Sequence, residues 1–218
     1  LLNFGFTTLV QNRTEKDGSV VSDIQQPLAL GGITDGITNL EITAAYATIA
    51  NQGTYTRPVF YSKVVDSNGR ILLDNTTPTT HTVLKSSTAS LLTQGMTSVI
   101  TEGTGKACAL TDGMPVSGKT GTTSSAYDLW FCGYTPYLTA SIWTGYDENK
   151  ELGSDQAYHE RLWSKIMSQI DQVKGYKIKD FEMSDDVEEV TLCSSSGALA
   201  IEGVCPHTYT EYFSKDTA

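Results

Sequence analysis

The chain has 218 residues, 39% of them hydrophobic and 18% charged, a balance that supports one large domain or one domain with an appendage. A formal net charge of -10 and a pI near 4.7, with no basic run, argue against nucleic acid and anionic membrane surfaces as partners. No apolar stretch approaches the ~20 residues that cross a bilayer, and the opening LLNFGFTTLV has neither the basic segment nor the long apolar run of a signal peptide. Starting inside an apolar pattern without a methionine, the sequence reads as a piece cut from something longer.

In chain order, residues 38–51 are expected to form a helix: Thr38 and Glu41 make a capping box, Gly53 marks the stop, and Leu40, Ala44, Ala47 and Ile49 trace a face. Residues 59–74 read as a hairpin, with VFYSKVV and RILLD joined through DSNG. A second helix is expected over 87–101, ending near Gly103 and Gly105. From Val116 the pattern turns to strands: VSGKTGT, DLWFCGY and LTASIWTGY, separated by SSAY and TPY, the spacing of an antiparallel meander. Residues 159–171 return to helix, with Leu162, Trp163, Ile166, Met167 and Ile170 on one stripe. A polar stretch then links to a small appendage over 187–218.

Cys108, Cys132, Cys193 and Cys205 contain no C-x-x-C, and His81, His159 and His207 are scattered, so neither a metal site nor a cofactor is expected. Cys193 and Cys205 bracket SSSGALAIEGV, which has two glycines and can fold back; a disulfide there and two unpaired thiols both remain open.

The stretch GMPVSGKTGTT, residues 113–123, admits two readings. Gly113, Gly118, Lys119 and Thr120 fit the phosphate-loop pattern G-x-x-x-x-G-K-[ST]. That loop needs a buried strand before it and a helix starting at the lysine. Here GKACALTD is a poor buried strand, Pro115 has no N–H to offer a phosphate, and Gly-Thr-Thr-Ser-Ser opens a helix badly. As a small-residue strand, the same letters suit recognition of an extended peptide that adds to a sheet edge. Gly118 and Gly121 let another backbone or a ligand ring come close, Thr120 and Thr122 offer hydroxyls to a carboxylate, and Lys119 supplies a positive charge.

Lys-Thr-Gly is also the third signature of the penicillin-binding serine enzymes. The segments LALGGITDGITNLEITAAYATIANQGTYTRP, EGTGKAC, and VSGKTGTTSSAYDLWFCGYTPYLTASIWTGYD resemble the bifunctional, class A penicillin-binding proteins, and EGVCPHTYTEYF resembles the tail that often follows their transpeptidase domain. The resemblance implies a mixed α/β (α+β) fold, an antiparallel sheet with helices packed on it, forming part of a serine β-lactamase/penicillin-binding-protein transpeptidase. It divides the chain into residues 1–172, the C-terminal portion of that domain, and 173–218, a linker and appendage. The implied activity is peptidoglycan D,D-transpeptidation. A serine attacks the penultimate D-alanine carbonyl of a stem peptide, terminal D-alanine leaves, and an amine takes the acyl group; β-lactams trap the serine.

By the same resemblance Lys119 and Thr122 are catalytic: Lys119 in proton transfer and electrostatics, the Thr122 N–H as an oxyanion donor. Ser117, Gly118, Thr120, Gly121, Thr122 and Thr123 bind substrate. Neither S-x-x-K nor S-x-N occurs, so the nucleophile is expected upstream and the 218 residues alone are expected to be inactive. Location at the extracytoplasmic face of a bacterial membrane is implied. Two other readings stand beside this one, a D,D-carboxypeptidase or β-lactamase piece and a non-catalytic cell-wall scaffold module. Bland roles are expected nearby: Trp130, Phe131 and Trp143 as core and Asp128 as a turn residue. The family's strand that pairs with LTASIWTGY precedes the first motif, so residues 138–146 are expected to offer an open edge, to be covered by a second copy of the chain or by VEEVTL at 187–192.

Overall fold

In the computed structural model, residues 1–216 are described. The centre is a three-stranded antiparallel sheet in the order β7 (Ser117–Thr122), β8 (Leu129–Tyr134) and β9 (Thr139–Thr144). Short paired strands come before it: β1 (Arg13–Thr14) with β2 (Val20–Val21), β3 (Thr54–Thr56) with β6 (Thr80–Thr82), and β4 (Lys63–Val65) with β5 (Ile71–Asp74). The β4–β5 hairpin is shorter than expected: Val59–Ser62 lie outside it, and the turn closes because the Asp66 carboxylate accepts the N–H groups of Asn68 and Arg70, both at 2.9 Å.

Helix α1 (Asn39–Ala50) starts at the expected capping box, with Thr38 Oγ1 accepting the Glu41 N–H and the Glu41 carboxylate accepting the Thr38 N–H. That carboxylate also accepts Thr7 N–H at 2.6 Å, Thr7 hydroxyl at 2.7 Å and Thr8 hydroxyl at 2.9 Å, tying the N-terminal segment to the helix. Burial pushes the Glu41 pKa up, but the hydrogen bonds from Thr7 and Thr38 outweigh it and hold the group at about 2. The buried face differs from the expected one. It is Glu41, Ala44, Ala45 and Thr48, while Leu40 is exposed. Small side chains on this face let α1 lie close on β8 and β9.

Helix α2 (Ser86–Thr101) lies against β7 (Ser117–Thr122). Strands β8 (Leu129–Tyr134) and β9 (Thr139–Thr144) follow in strict register, with Phe131 opposite Thr120 and Ile142, and Cys132 opposite Lys119 and Ser141. The pleat sends Cys132 and Tyr134 toward α1 and α2, where Tyr134 Oη meets Thr93 Oγ1 at 2.7 Å. Phe131 points the other way, onto α3 (Tyr158–Lys174), edge-to-face with Trp163 at 4.8 Å. Helices therefore cover both faces of the sheet. Ile100, Leu110, Met114, Val116, Phe131, Trp163 and Met167 form the core on the α3 side. Of the stripe expected on α3, Trp163 and Met167 are buried and Ile170 packs beside them, but Leu162 and Ile166 are exposed on a neighbouring face. Trp143, expected in the core, is 38% exposed.

β10 (Val187–Cys193) pairs antiparallel with β11 (Thr208–Ser214) along its whole length, and this hairpin rests on α2, helped by Ser184 N–H donating to Ser90 Oγ at 2.9 Å. Residues 187–192 thus do not cover β9, contrary to one expectation: their backbone groups are committed to β11. Among the described residues no strand pairs with the outer edge of β9. No helix among them is long and apolar enough to cross a membrane.

Candidate active site

Residues 117–123 leave no room for a phosphate loop. Ser117–Thr122 is the outer strand β7, and only a three-residue 3-10 turn, Ser124–Ala126, follows. The strand forms because β8 supplies a full ladder on one side. Thr123 N–H donates inward to the Asp128 carbonyl at 3.1 Å. Alternation along the pleat then turns the backbone groups of Gly118, Thr120 and Thr122 toward the unpaired edge.

The side chains divide into two groups. Lys119 and Thr122 are exposed, and Thr120 and Gly121 are half-buried at the rim. The Lys119 ammonium rests on the Thr120 carbonyl at 3.0 Å. Ser117, by contrast, is fully buried, and its hydroxyl donates to the Thr93 carbonyl at 2.9 Å, fixing β7 to α2. Gly118 does not open space for a ligand. A Cβ there would stand 2.6 Å from the Cys132 carbonyl oxygen and 2.7 Å from Phe131 Cζ, so the glycine allows close packing on β8. Gly121 faces Trp130, whose Cβ would lie 3.3 Å from an added methyl. Thr123 is bound into the β7–β8 turn: its hydroxyl donates to Asp128 Oδ2 at 3.1 Å and accepts the Asp128 N–H at 2.8 Å. Asp128 also accepts Trp143 Nε1–H at 2.9 Å, the turn role expected of it.

Thr104 is a further residue at this site, one that motif and periodicity do not mark. It sits in the loop after α2, and its Oγ1 lies 2.7 Å from Thr120 Oγ1, both side chains reaching solvent. Only the GTG letters of EGTGKAC hinted at it, since Gly103 and Gly105 allow the tight return: a Cβ on Gly103 would meet Val99 Cα at 2.9 Å. The rim beyond the strand is sharply turned, with Ser125 at φ 60° and Ala126 at φ 50°.

No group of three or more histidine, cysteine or acidic residues is placed to hold a metal ion among the described residues. A separate cleft of about 750 Å³ lies between residues 107–112 and α3 and takes in none of residues 117–123. At its wall Asp171 is buried, and burial followed by the charge of Asp112 pushes its carboxyl pKa up.

The site is thus an outer strand with Lys119 and Thr122 exposed, on an antiparallel sheet covered by helices on both faces. Residues 1–168 match the penicillin binding protein transpeptidase domain, and residues 183–218 match the penicillin-binding protein 1A C-terminal domain. The chain belongs to the penicillin-binding protein transpeptidase family. Among relatives, penicillin-binding protein 1A of Aquifex aeolicus is 36% identical over 178 residues, 80% of this chain and 24% of that protein. Penicillin-binding protein 1A/1B of Bacillus subtilis is 31% identical over 227 residues, 92% of this chain and 24% of that protein. This chain thus spans about a quarter of these relatives. The penicillin-binding protein PonA1 of Mycobacterium tuberculosis superposes with a TM-score of 0.65 and 26% identity, over 77% of this chain and 46% of that one. A structure of PonA1 in complex with penicillin V superposes at 0.63 with 25% identity, over 78% and 46%. Penicillin-binding protein 1A of Haemophilus influenzae, at 21% identity and a TM-score of 0.69, covers 97% of this chain and 35% of that one, and shares the fold.

Proposed function

We propose that this chain supplies the third-motif half of a peptidoglycan D,D-transpeptidase whose nucleophilic serine lies outside residues 1–218. The observation that carries the reading is the outer edge of β7, which no strand pairs among the described residues and along which Lys119, Thr120 and Thr122 stand. A stem peptide ending in D-Ala-D-Ala docks along that edge by main-chain hydrogen bonds. Thr120 and Thr122 hydroxyls donate to its terminal carboxylate, and the Lys119 ammonium adds charge there and to the serine chemistry. The Thr122 N–H points where the carbonyl oxygen gains negative charge when the serine attacks; one such donor contributes about 2.7–4 kcal/mol in known enzymes. The scissile C–N bond then breaks, D-alanine leaves with a proton, and an acceptor amine displaces the serine from the ester. Of the residues assigned to substrate, Gly118 acts through its outward backbone groups, while Ser117 and Thr123 support the strand and its turn, since their side chains are committed within the fold and their backbone groups face β8.

β-Lactams enter the same groove as mimics of D-Ala-D-Ala, supported by PonA1 having been solved with penicillin V. The place of action is the extracytoplasmic face of the bacterial membrane, where such substrates exist. The open edge of β9 is read as the seat of a strand from the preceding part of a longer polypeptide; the alternative is β9 of a second copy, and sedimentation of the intact protein separates the two. Residues 173–218 serve as linker and appendage.

The test is acylation of the intact protein by a fluorescent penicillin. Lys119→Ala is expected to slow acylation by about 100-fold or more, the scale of a lost acid–base or charge contribution. An unchanged rate in a folded Lys119→Ala protein would remove Lys119 from the site.

A further inference from the structure

The tip of the β10–β11 hairpin is more than a turn. Cys193 ends β10 with its backbone engaged on both sides: its N–H donates to the Ala198 carbonyl at 2.8 Å, and the Ser194 N–H donates to the His207 carbonyl at 2.9 Å. The returning segment runs beside β10, with Leu192 bridged to Leu199 and the Ala200 N–H on the Thr191 carbonyl at 3.0 Å. Residues 201–205 then make a tight turn, Cys205 N–H donating to the Ile201 carbonyl at 3.0 Å and Ile201 N–H to Cys205 Sγ at 3.4 Å. The path delivers the Cys205 sulfur to the Cys193 sulfur, and the two hydrogen-bond to each other. All four cysteines are thiols here; Cys193 is buried and Cys205 half-buried.

We propose that Cys193 and Cys205 are a thiol–disulfide exchange site that reacts with an external disulfide and closes into an intramolecular bond across the hairpin tip. The proposal is independent of the acyl-transfer reading.

The chemistry of the pair supports it. The hydrogen bond from Cys205, the Ser195 N–H and the Ser196 hydroxyl hold the Cys193 pKa at about 7, while the bond to Cys193 raises that of Cys205. Near neutral pH the two sulfurs therefore share one proton and one negative charge. For attack the shared proton moves from Cys205 to Cys193, and Cys205, the more exposed sulfur, attacks a disulfide RS–SR as the thiolate. A Cys205–SR bond forms, and RS⁻ leaves and takes a proton from water. Cys193 then loses its proton and attacks the Cys205 sulfur. The Cys193–Cys205 bond forms as the second RS⁻ departs. Two protein thiols are oxidised by two electrons, and one disulfide is reduced to two thiols. Cys108 and Cys132 are poor competitors: burial raises the pKa of both, that of Cys132 to about 12.

The test is to treat the intact protein with oxidised glutathione near neutral pH, quench in alkylating agent under denaturing conditions, and map the cysteines by mass. The expected result is loss of two hydrogen atoms, a peptide linking Cys193 to Cys205, and alkylation of Cys108 and Cys132. Cys193→Ser is expected to hold one glutathionyl group on Cys205, and Cys205→Ser to react much more slowly. Complete alkylation of Cys193 and Cys205 in excess oxidised glutathione would overturn the site, as would a link to Cys108, to Cys132 or between two molecules. Fast glutathionylation of Cys205→Ser would overturn the assignment of Cys205 as the attacking sulfur.

Discussion

Thr104 Oγ1 lies 2.7 Å from Thr120 Oγ1, so the hydroxyl proposed to meet substrate is itself held by a neighbour from another element. One hydrogen bond of this kind is worth about 0.5–1.5 kcal/mol net. Thr104→Val is therefore expected to weaken acylation of the intact protein by carboxylate-bearing β-lactams by about 2–10-fold, mainly in the binding step, with Thr104→Ser close to wild type. Equal losses in both variants would count against a hydroxyl-to-hydroxyl role.

Gly118→Ala is expected to destabilise the fold. The new methyl would stand 2.6 Å from a backbone oxygen and 2.8 Å from Gly133 Cα, neither of which can rotate away. Overpacking of this kind costs about 1–3 kcal/mol. Thermal unfolding would show a lowered midpoint, whereas Gly153→Ala, with nothing within 4 Å, would leave it nearly unchanged.

The Glu41 carboxylate sets an acid limit. Its folded pKa lies at about 2, below the ordinary 4.5, so the ionised form is the one folding favours. The associated stability is present above the ordinary pKa and is lost as pH falls from there through 2, on the order of 3 kcal/mol in all. Glu41→Gln should flatten the stability-against-pH curve across that window, as measured by urea unfolding. A wild-type curve already flat between pH 4.5 and 2 would contradict it.

Much of the fold was legible in local signals. The capping box at Thr38 and Glu41, the Asp66–Gly69 turn and the three strands after Val116 are marked by neighbours in sequence. What was hidden depends on distant partners. Leu162 and Ile166 share a helical stripe with Trp163 and Met167, yet only the position of the sheet decides which flank is covered. Ser117 and Gly118 looked available because the letters surrounding Lys119 are small and polar; their burial comes from Thr93 and Phe131, far along the chain. Thr104 was silent for the same reason, being brought to Thr120 by the return after α2. The pairing of β10 with β11 instead of β9 is again a choice between two acceptable edges, made by the hairpin's own closure.

The tryptophan pair gives the candidate site an optical signature. Trp130 and Trp143 face each other across β8 and β9 with ring centroids 6.3 Å apart and planes tilted by 48°. Two indoles so close and so inclined couple their electronic transitions, so they should give a circular-dichroism couplet distinct from the band of buried Trp163. Trp130 lies opposite Gly121 in the ladder, and Asp128 holds the Trp143 ring. Any occupant that bends β7 or loosens its turn would change that couplet, making ligand entry readable without a label.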